Sequence, residues 1–130
     1  MAISGAIIGL LYRKYIVVNQ MPLGKDVNAI IIGSGFSGIC AGVKLGLAGV
    51  RYKIFEKDTG LGGTWYANTY PGAACDIQSA LYSLSFEPNP EFTKVYSPQE
   101  QILAYLNRVA QKYGITKNIE LNSEIIAATW

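Results

Sequence analysis

Four apolar residues in succession, Ala29 to Ile32, stand out from an otherwise mixed chain because no polar position is interleaved among them. Half-exposed strands alternate, so an uninterrupted run predicts a parallel strand covered on both faces. A second short strand follows at Tyr52 to Phe55. Between the two, Gly38, Gly42 and Gly46 recur at every fourth position and share one face of the connecting helix. Each interior glycine costs about 1 kcal/mol against alanine, so three in line point to a helix whose backbone packs closely on its neighbour. Gly49 stands at the C′ position that ends it.

Farther along, Ile102, Leu106, Val109 and Tyr113 fall on one helical face. The helix they imply, residues 97–113, packs on a core. It has Ser97 as N-cap, Pro98 at N1, Glu100 at N3 to complete a capping box, and Gly114 at C′. Residues 119–121 read as a third short strand and residues 124–129 as the start of another segment. The stretch KDTGLGGTWYANTYPGAACD after the second strand is too rich in Gly, Asn and Pro for regular structure, with a turn at Pro71 and Gly72. Strands alternating with helices predict an α/β fold with a parallel sheet.

The turn out of the first strand carries the chemistry. Gly33, Gly35 and Gly38 spell G-x-G-x-x-G, with Phe36 and Ser37 in the last gap. Gly33 makes the tight turn, Gly35 lets backbone N–H groups approach a pyrophosphate, and Gly38 lets the helix lie against the strand. The helix N-terminus favours the anion. Glu56 closes the second strand, about 20 residues on, at the place of an acid that accepts hydrogen bonds from both ribose hydroxyls. A lone glycine motif is weak, but here strand, helix, spacing and acid agree. They predict a dinucleotide site in the N-terminal part of a Rossmann-like, doubly wound parallel sheet. A carboxylate disfavours a 2′-phosphate, so the site suits FAD or NAD better than NADP. Lys57 is either a 2′-phosphate contact or a solvated charge. In the next loop Gly62 and Gly63 permit close backbone approach, and Trp65 either anchors the loop in a core or lies beside a flat ring such as isoalloxazine.

Composition narrows the rest. The 130 residues make one domain's length, and 50% hydrophobic content argues against disorder. A net charge of +2, scattered, offers no face for nucleic acid. The chain has no histidine, which removes histidine acid/base catalysis and most zinc chemistry. Cys40 and Cys75 lack paired spacing and read as reduced thiols of an intracellular, cytoplasmic protein, without a metal site. Residues 1–25 form an apolar extension ahead of a domain at 26–130. Arg13 and Lys14 interrupt it, so it falls short of the ~20 uninterrupted apolar residues of a spanning helix. It also lacks the basic start and cleavage site of a signal peptide. Residues 1–20 are a weak membrane-surface anchor, which is not the favoured reading, a disordered extension, or a stretch upstream of a start at Met21. The core is expected not to need them.

GGTWYANTYPGAACD at residues 62–76, taken with the glycine motif and Glu56, resembles the class B flavin-dependent monooxygenases, the Baeyer–Villiger and flavin-containing monooxygenase group. LYSLSF at residues 81–86 and YSPQEQILAYL at residues 96–106 extend the resemblance, which covers the chain's N-terminal FAD-binding part of that family. It implies that Gly33, Gly35, Phe36, Ser37, Gly38 and Glu56 hold the ADP half of FAD. It implies too that Gly63, Thr64, Trp65, Tyr66 and Ala67 border the flavin, that Asp76 and Tyr82 contact FAD, and that Ile125 offers its backbone to the adenine. Ala74, Cys75 and Asp76 fall where some members also meet NADP. Ala74 stands where many Baeyer–Villiger members have arginine, which leaves the subclass open. The family's second glycine motif, for NADPH, and its F-x-G-x-x-x-H-x-x-x-W-P fingerprint are absent, and full members are several times longer. The chain thus resembles a truncated, incomplete domain.

In that family NADPH reduces FAD, oxygen is activated on the reduced flavin, and a ketone or a soft nitrogen or sulfur is oxygenated. The cofactor carries the chemistry, and the protein supplies binding, orientation and exclusion of water. Asp76 is the one candidate for a catalytic role near the ring, a loop-capping aspartate being the other reading. Three functions remain. The first is the FAD-binding part of an NADPH-dependent monooxygenase acting on a small organic substrate, inactive by itself. The second is a non-catalytic nucleotide-binding module, and the third a membrane-tethered product working through its N-terminus.

Overall fold

The computed structural model of the chain describes residues 27–128 together with the backbone of residues 14–17. Strand β1, Lys14–Val17, comes first, followed by β2 at Ala29–Ile32. Helix α1, Phe36–Leu47, leads into β3 at Tyr52–Phe55. A single helical turn, α2 at Thr64–Ala67, and a 3-10 turn at Ser79–Leu81 interrupt the long loop that follows. Helix α3, Gln99–Lys112, and a second 3-10 turn at Ile115–Asn118 precede the last strands, β4 at Ile119–Glu120 and β5 at Ser123–Ala127.

The parallel sheet is ordered β2-β3-β4, with Ala29 opposite Tyr52 and Ile32 opposite Phe55. The β-α-β crossover through α1 is the unit that parallel pairing of adjacent strands requires. The helix lies close because it is glycine-lined. A Cβ built on Gly38 would stand 1.9 Å from the carbonyl oxygen of Gly33, and one on Gly42 would stand 2.9 Å from Cδ1 of Ile54. At Gly46 the nearest atom would be the Tyr52 hydroxyl at 3.6 Å, an ordinary contact. Close packing therefore explains the first two glycines of the line and not the third. Gly49, at φ +70°, ends the helix as expected.

Helix α1 covers one face of β3, and α3 packs against α1. Ile39, Val43, Tyr52, Ile54, Ile102, Leu106, Val109 and Ala110 make a single buried core there. On the other face Lys53 pairs with Glu120 at 2.8 Å across to β4. Burying side chains of this size contributes about 1.5–3 kcal/mol each, so the helix pair is what holds the sheet in place.

Four expectations change. Strand β2 is not covered on both faces. It is an edge strand among the described residues, its side chains are half-buried, and Ile32 is 63% exposed. The loop after β3 does contain regular structure, the short α2. Ser97 is not an N-cap: α3 begins one position later behind Pro98, without a side-chain cap. Ser97 is instead fully buried, its Oγ paired with Ser79 Oγ at 2.6 Å and its carbonyl accepting the Cys75 N–H at 2.9 Å. Finally, the N-terminal stretch is not detached from the domain, because β1 pairs in parallel with β5, Ile16 opposite Ile125. The rest of residues 1–20 lies outside the described residues. No helix among the described residues is long and apolar enough to cross a membrane.

Candidate functional site

The carboxyl ends of β2 and β3 open toward the same side, and every loop that leaves them there contributes to one concave surface. Beyond β2 the chain turns at Gly33, φ +86°, where the direction of a Cβ is open space. Gly35 caps α1 with its backbone alone, since no side chain bonds the helix N-terminus and no acid lies in its first turn. Uncapped N–H groups and the positive end of the helix dipole are what an anion requires.

A second glycine loop meets the first. Gly62 N–H donates to the Ser34 carbonyl at 3.0 Å, and a Cβ on Gly63 would come 2.9 Å from the Cα of Gly35. Gly63 is at φ +57°, from which α2 starts. A Cβ on Gly35, in contrast, would find only ordinary contacts, the nearest at 3.6 Å. Among the described residues, therefore, nothing sterically requires glycine at position 35.

Two adjoining cavities follow this seam. The first, about 470 Å³, is lined by Gly33, Ser34, Gly35 and Glu56, by Gly63, Thr64, Ala67 and Asn68 from the second loop, and by Ser123, Glu124 and Ile125 from β5. The second, about 330 Å³, is lined by Phe36, Ser37 and Gly38 at the start of α1 and by Trp65 and Tyr82, and shares Gly33, Gly35, Gly63 and Thr64 with the first. A larger cavity, about 630 Å³, opens at the opposite end of β3 around Leu47, Arg51 and Lys117 and contains none of the expected site residues.

At the first cavity's wall Glu56 is 3% exposed. Its Oε2 accepts from the amide and from the hydroxyl of Ser34, each at 2.7 Å, and its Oε1 accepts from the Asp58 N–H at 3.0 Å. Burial pushes its pKa up, but the hydrogen bonds from the Ser34 hydroxyl and from the Asp58, Ser34 and Lys57 amides outweigh it, leaving the carboxyl below the usual glutamate value. At the second cavity Trp65 Nε1–H donates to the Tyr82 hydroxyl at 3.0 Å, and Tyr82 packs edge-on against Phe36 at 4.9 Å. Burial chiefly raises the Tyr82 phenol, the Trp65 hydrogen bond pulls it back, and Cys75 and Asp76 add to the rise. Gln99 at the start of α3 donates through Nε2 to the Trp65 carbonyl, and its N–H bonds Ala73 O at 2.9 Å, so α3 holds the loop that carries the indole.

Of the residues expected at the site, all but Tyr66 and Asp76 line one of these two cavities. The Tyr66 ring lies over Gly60 and its hydroxyl bonds Thr59, which turns it into its own loop. Asp76 is exposed and lines neither cavity. Sequence reasoning missed Ser34, Asn68 and Ser123. Ser34 had a usable signal, a small hydroxyl between two motif glycines with a buried acid ending the next strand.

A dinucleotide carrying an adenosine, a pyrophosphate and a flat ring fits these features in order: Glu56 and Ile125 at one end, the uncapped helix at the middle, Trp65 and Tyr82 at the other. The NAD(P)-binding Rossmann-like domain family matches residues 31–98. A Baeyer–Villiger monooxygenase of Pseudomonas aeruginosa is 48% identical over 107 residues, which is 82% of this chain and 20% of that one. The open crystal structure of cyclohexanone monooxygenase superposes with a TM-score of 0.71 at 38% identity, over 74% of this chain and 20% of the other. OTEMO in complex with FAD and NADP superposes with a TM-score of 0.69 at 31% identity, over 74% of this chain and 19% of the other. The chain spans about a fifth of the length of the curated relatives it matches. With this glycine loop, this sheet and these relatives, the chain belongs to the NAD(P)-binding Rossmann-like domain family and matches the N-terminal part of Baeyer–Villiger monooxygenases.

Proposed function

We propose that the chain is the FAD-binding part of an NADPH-dependent flavin monooxygenase that oxygenates ketones or soft nitrogen or sulfur centres of small organic substrates. The observation that carries this reading is the continuous seam from Glu56 to Trp65, two adjoining cavities that share Gly33, Gly35, Gly63 and Thr64. Glu56 takes the adenosine ribose hydroxyls, and Ile125 borders the adenine. The N-terminus of α1 at Gly35 to Gly38 takes the pyrophosphate. Trp65 and Tyr82, fixed to each other by a hydrogen bond and to α3 through Gln99, wall the ring end and exclude water from it. When bound, the flavin supplies the redox and oxygen chemistry. Asp76 remains the candidate for a group near the ring, acting from the loop beside Tyr82. Relatives named as FAD-binding monooxygenases, and a solved relative holding FAD and NADP, support FAD at this site with NADPH as co-substrate.

The 130 residues alone hold no second glycine motif, so this chain by itself binds flavin weakly and turns nothing over. The test titrates the purified chain with FAD, following flavin fluorescence, with ADP and riboflavin as competitors. It then assays NADPH oxidation with a ketone or a sulfide. FAD binding relieved by ADP supports the reading. Binding of ADP with no gain for FAD favours a non-catalytic nucleotide module, and oxygenated product above the free-flavin background would show the chain to be complete.

A further inference from the structure

Between the two motif glycines the chain places a side chain that the motif does not require. Ser34 is fully buried, and so nearly is the carboxylate it faces. Its carbonyl is held by the Gly62 N–H, while its amide and hydroxyl both point at one oxygen of Glu56. The other oxygen faces the Asp58 N–H. Among the described residues each group that hydrogen-bonds this carboxylate does so as a donor. A carboxamide in its place would set its NH₂ against the backbone N–H of Ser34 or of Asp58. The surroundings thus favour a carboxylate that accepts at both oxygens, at the wall of the cavity.

We propose that Ser34 is the positioning residue that sets this site's choice of nucleotide: by fixing Oε2 of Glu56 it holds the carboxylate as an acceptor that takes an unmodified ribose diol and repels a ribose 2′-phosphate. The inference rests on reading this cavity as an adenosine site. Among the described residues Lys57, Asp58 and Glu124 line the same cavity beside Glu56. The lowered pKa of Glu56 agrees with the geometry, the Ser34 hydroxyl being the largest of the contributions that lower it.

The experiment titrates the purified chain, by calorimetry, with ADP-ribose and with its 2′-phosphate, a pair differing only in that group. The wild-type chain is expected to prefer ADP-ribose, with affinity lost as pH falls through the Glu56 pKa. Ser34→Ala removes the hydroxyl and keeps the amide. It is expected to narrow the preference about tenfold, as for a hydrogen bond to a charged group, and to move the pH midpoint of ADP-ribose binding upward. Ser34→Gly, which also keeps the amide, is expected to behave in the same way. A preference and a midpoint that stay where they were would overturn the proposal. So would equal loss of both ligands at an unmoved midpoint, which marks a purely structural role. A wild-type chain that binds neither ligand sinks the adenosine site itself, and is told apart because it fails before any substitution is made.

Discussion

The indole N–H of Trp65 and the phenol oxygen of Tyr82 meet at 3.0 Å with their rings nearly perpendicular, 82° apart at 5.8 Å. The pair joins two distant parts of the long loop at the ring end of the site. Tyr82→Phe keeps the ring packing and leaves the half-buried indole donor without its acceptor. The expected cost is about 1 kcal/mol of stability, measured by urea unfolding, with a shift in tryptophan emission.

Glu56→Ala removes the acceptor proposed for the ribose hydroxyls. Hydrogen bonds to a charged group contribute about 1.5–3 kcal/mol, so FAD affinity is expected to fall at least tenfold in a flavin-fluorescence titration. Unchanged affinity would mean that the adenosine end lies elsewhere.

Acid sensitivity follows from the same residue. Its pKa in the folded chain lies below the ordinary 4.5, so ionised Glu56 favours the folded state. That stability is fully present above the unfolded pKa and is lost as pH falls through the depressed folded value. Half-buried Glu87, lowered chiefly by its hydrogen bond from Lys112, works in the same direction, so the comparison needs a reference. Urea midpoints of wild type and Glu56→Gln, taken from pH 7 down to pH 3, are expected to converge at the acid end.

Strand β1 ties the N-terminal stretch to the site, because its partner β5 carries Ile125 on the cavity that Glu56 lines. Removing residues 1–20 is expected to speed amide hydrogen exchange in β5 and to weaken nucleotide binding. An unchanged exchange rate would restore the view that the core does not need them.

Strands β2 and β3 were legible to the residue, because parallel strands are short apolar runs and glycine marks their exits. The cavity residues on the glycine turn were legible for the same reason: a backbone requirement leaves its mark in residue type. Two kinds of feature were not. Ser97 carries every local sign of an N-cap, but the bridge between Ala74 and Pro98 and the pairing with Ser79 claim it first, and tertiary hydrogen bonds outweigh a local motif. The pairing of β1 with β5 joins segments from opposite ends of the chain, and no periodicity within either one records its partner. Ile32 misled for a related reason, since an apolar run states that both faces are to be covered without stating by what.

The glycine line of α1 separates packing from propensity. Gly38→Ala forces a methyl onto the Gly33 carbonyl and is expected to prevent folding. Gly46→Ala, on an exposed turn with an ordinary contact, is expected to gain about 0.5–1 kcal/mol in thermal or urea unfolding.

The unequal surroundings of Gly35 and Gly38 mean that a mutational scan of this one motif would read out two different properties. Variants at Gly38 would disappear from the soluble fraction whatever was added to the medium, because their fault lies in assembly. Variants at Gly35, whose new side chain meets only ordinary neighbours, would accumulate normally and fail only when asked to bind. A screen scored on expression would therefore call Gly35 dispensable, and one scored on binding could not tell the two glycines apart. Scored both ways, the motif itself would report whether this chain is selected for a bound nucleotide or merely for its fold.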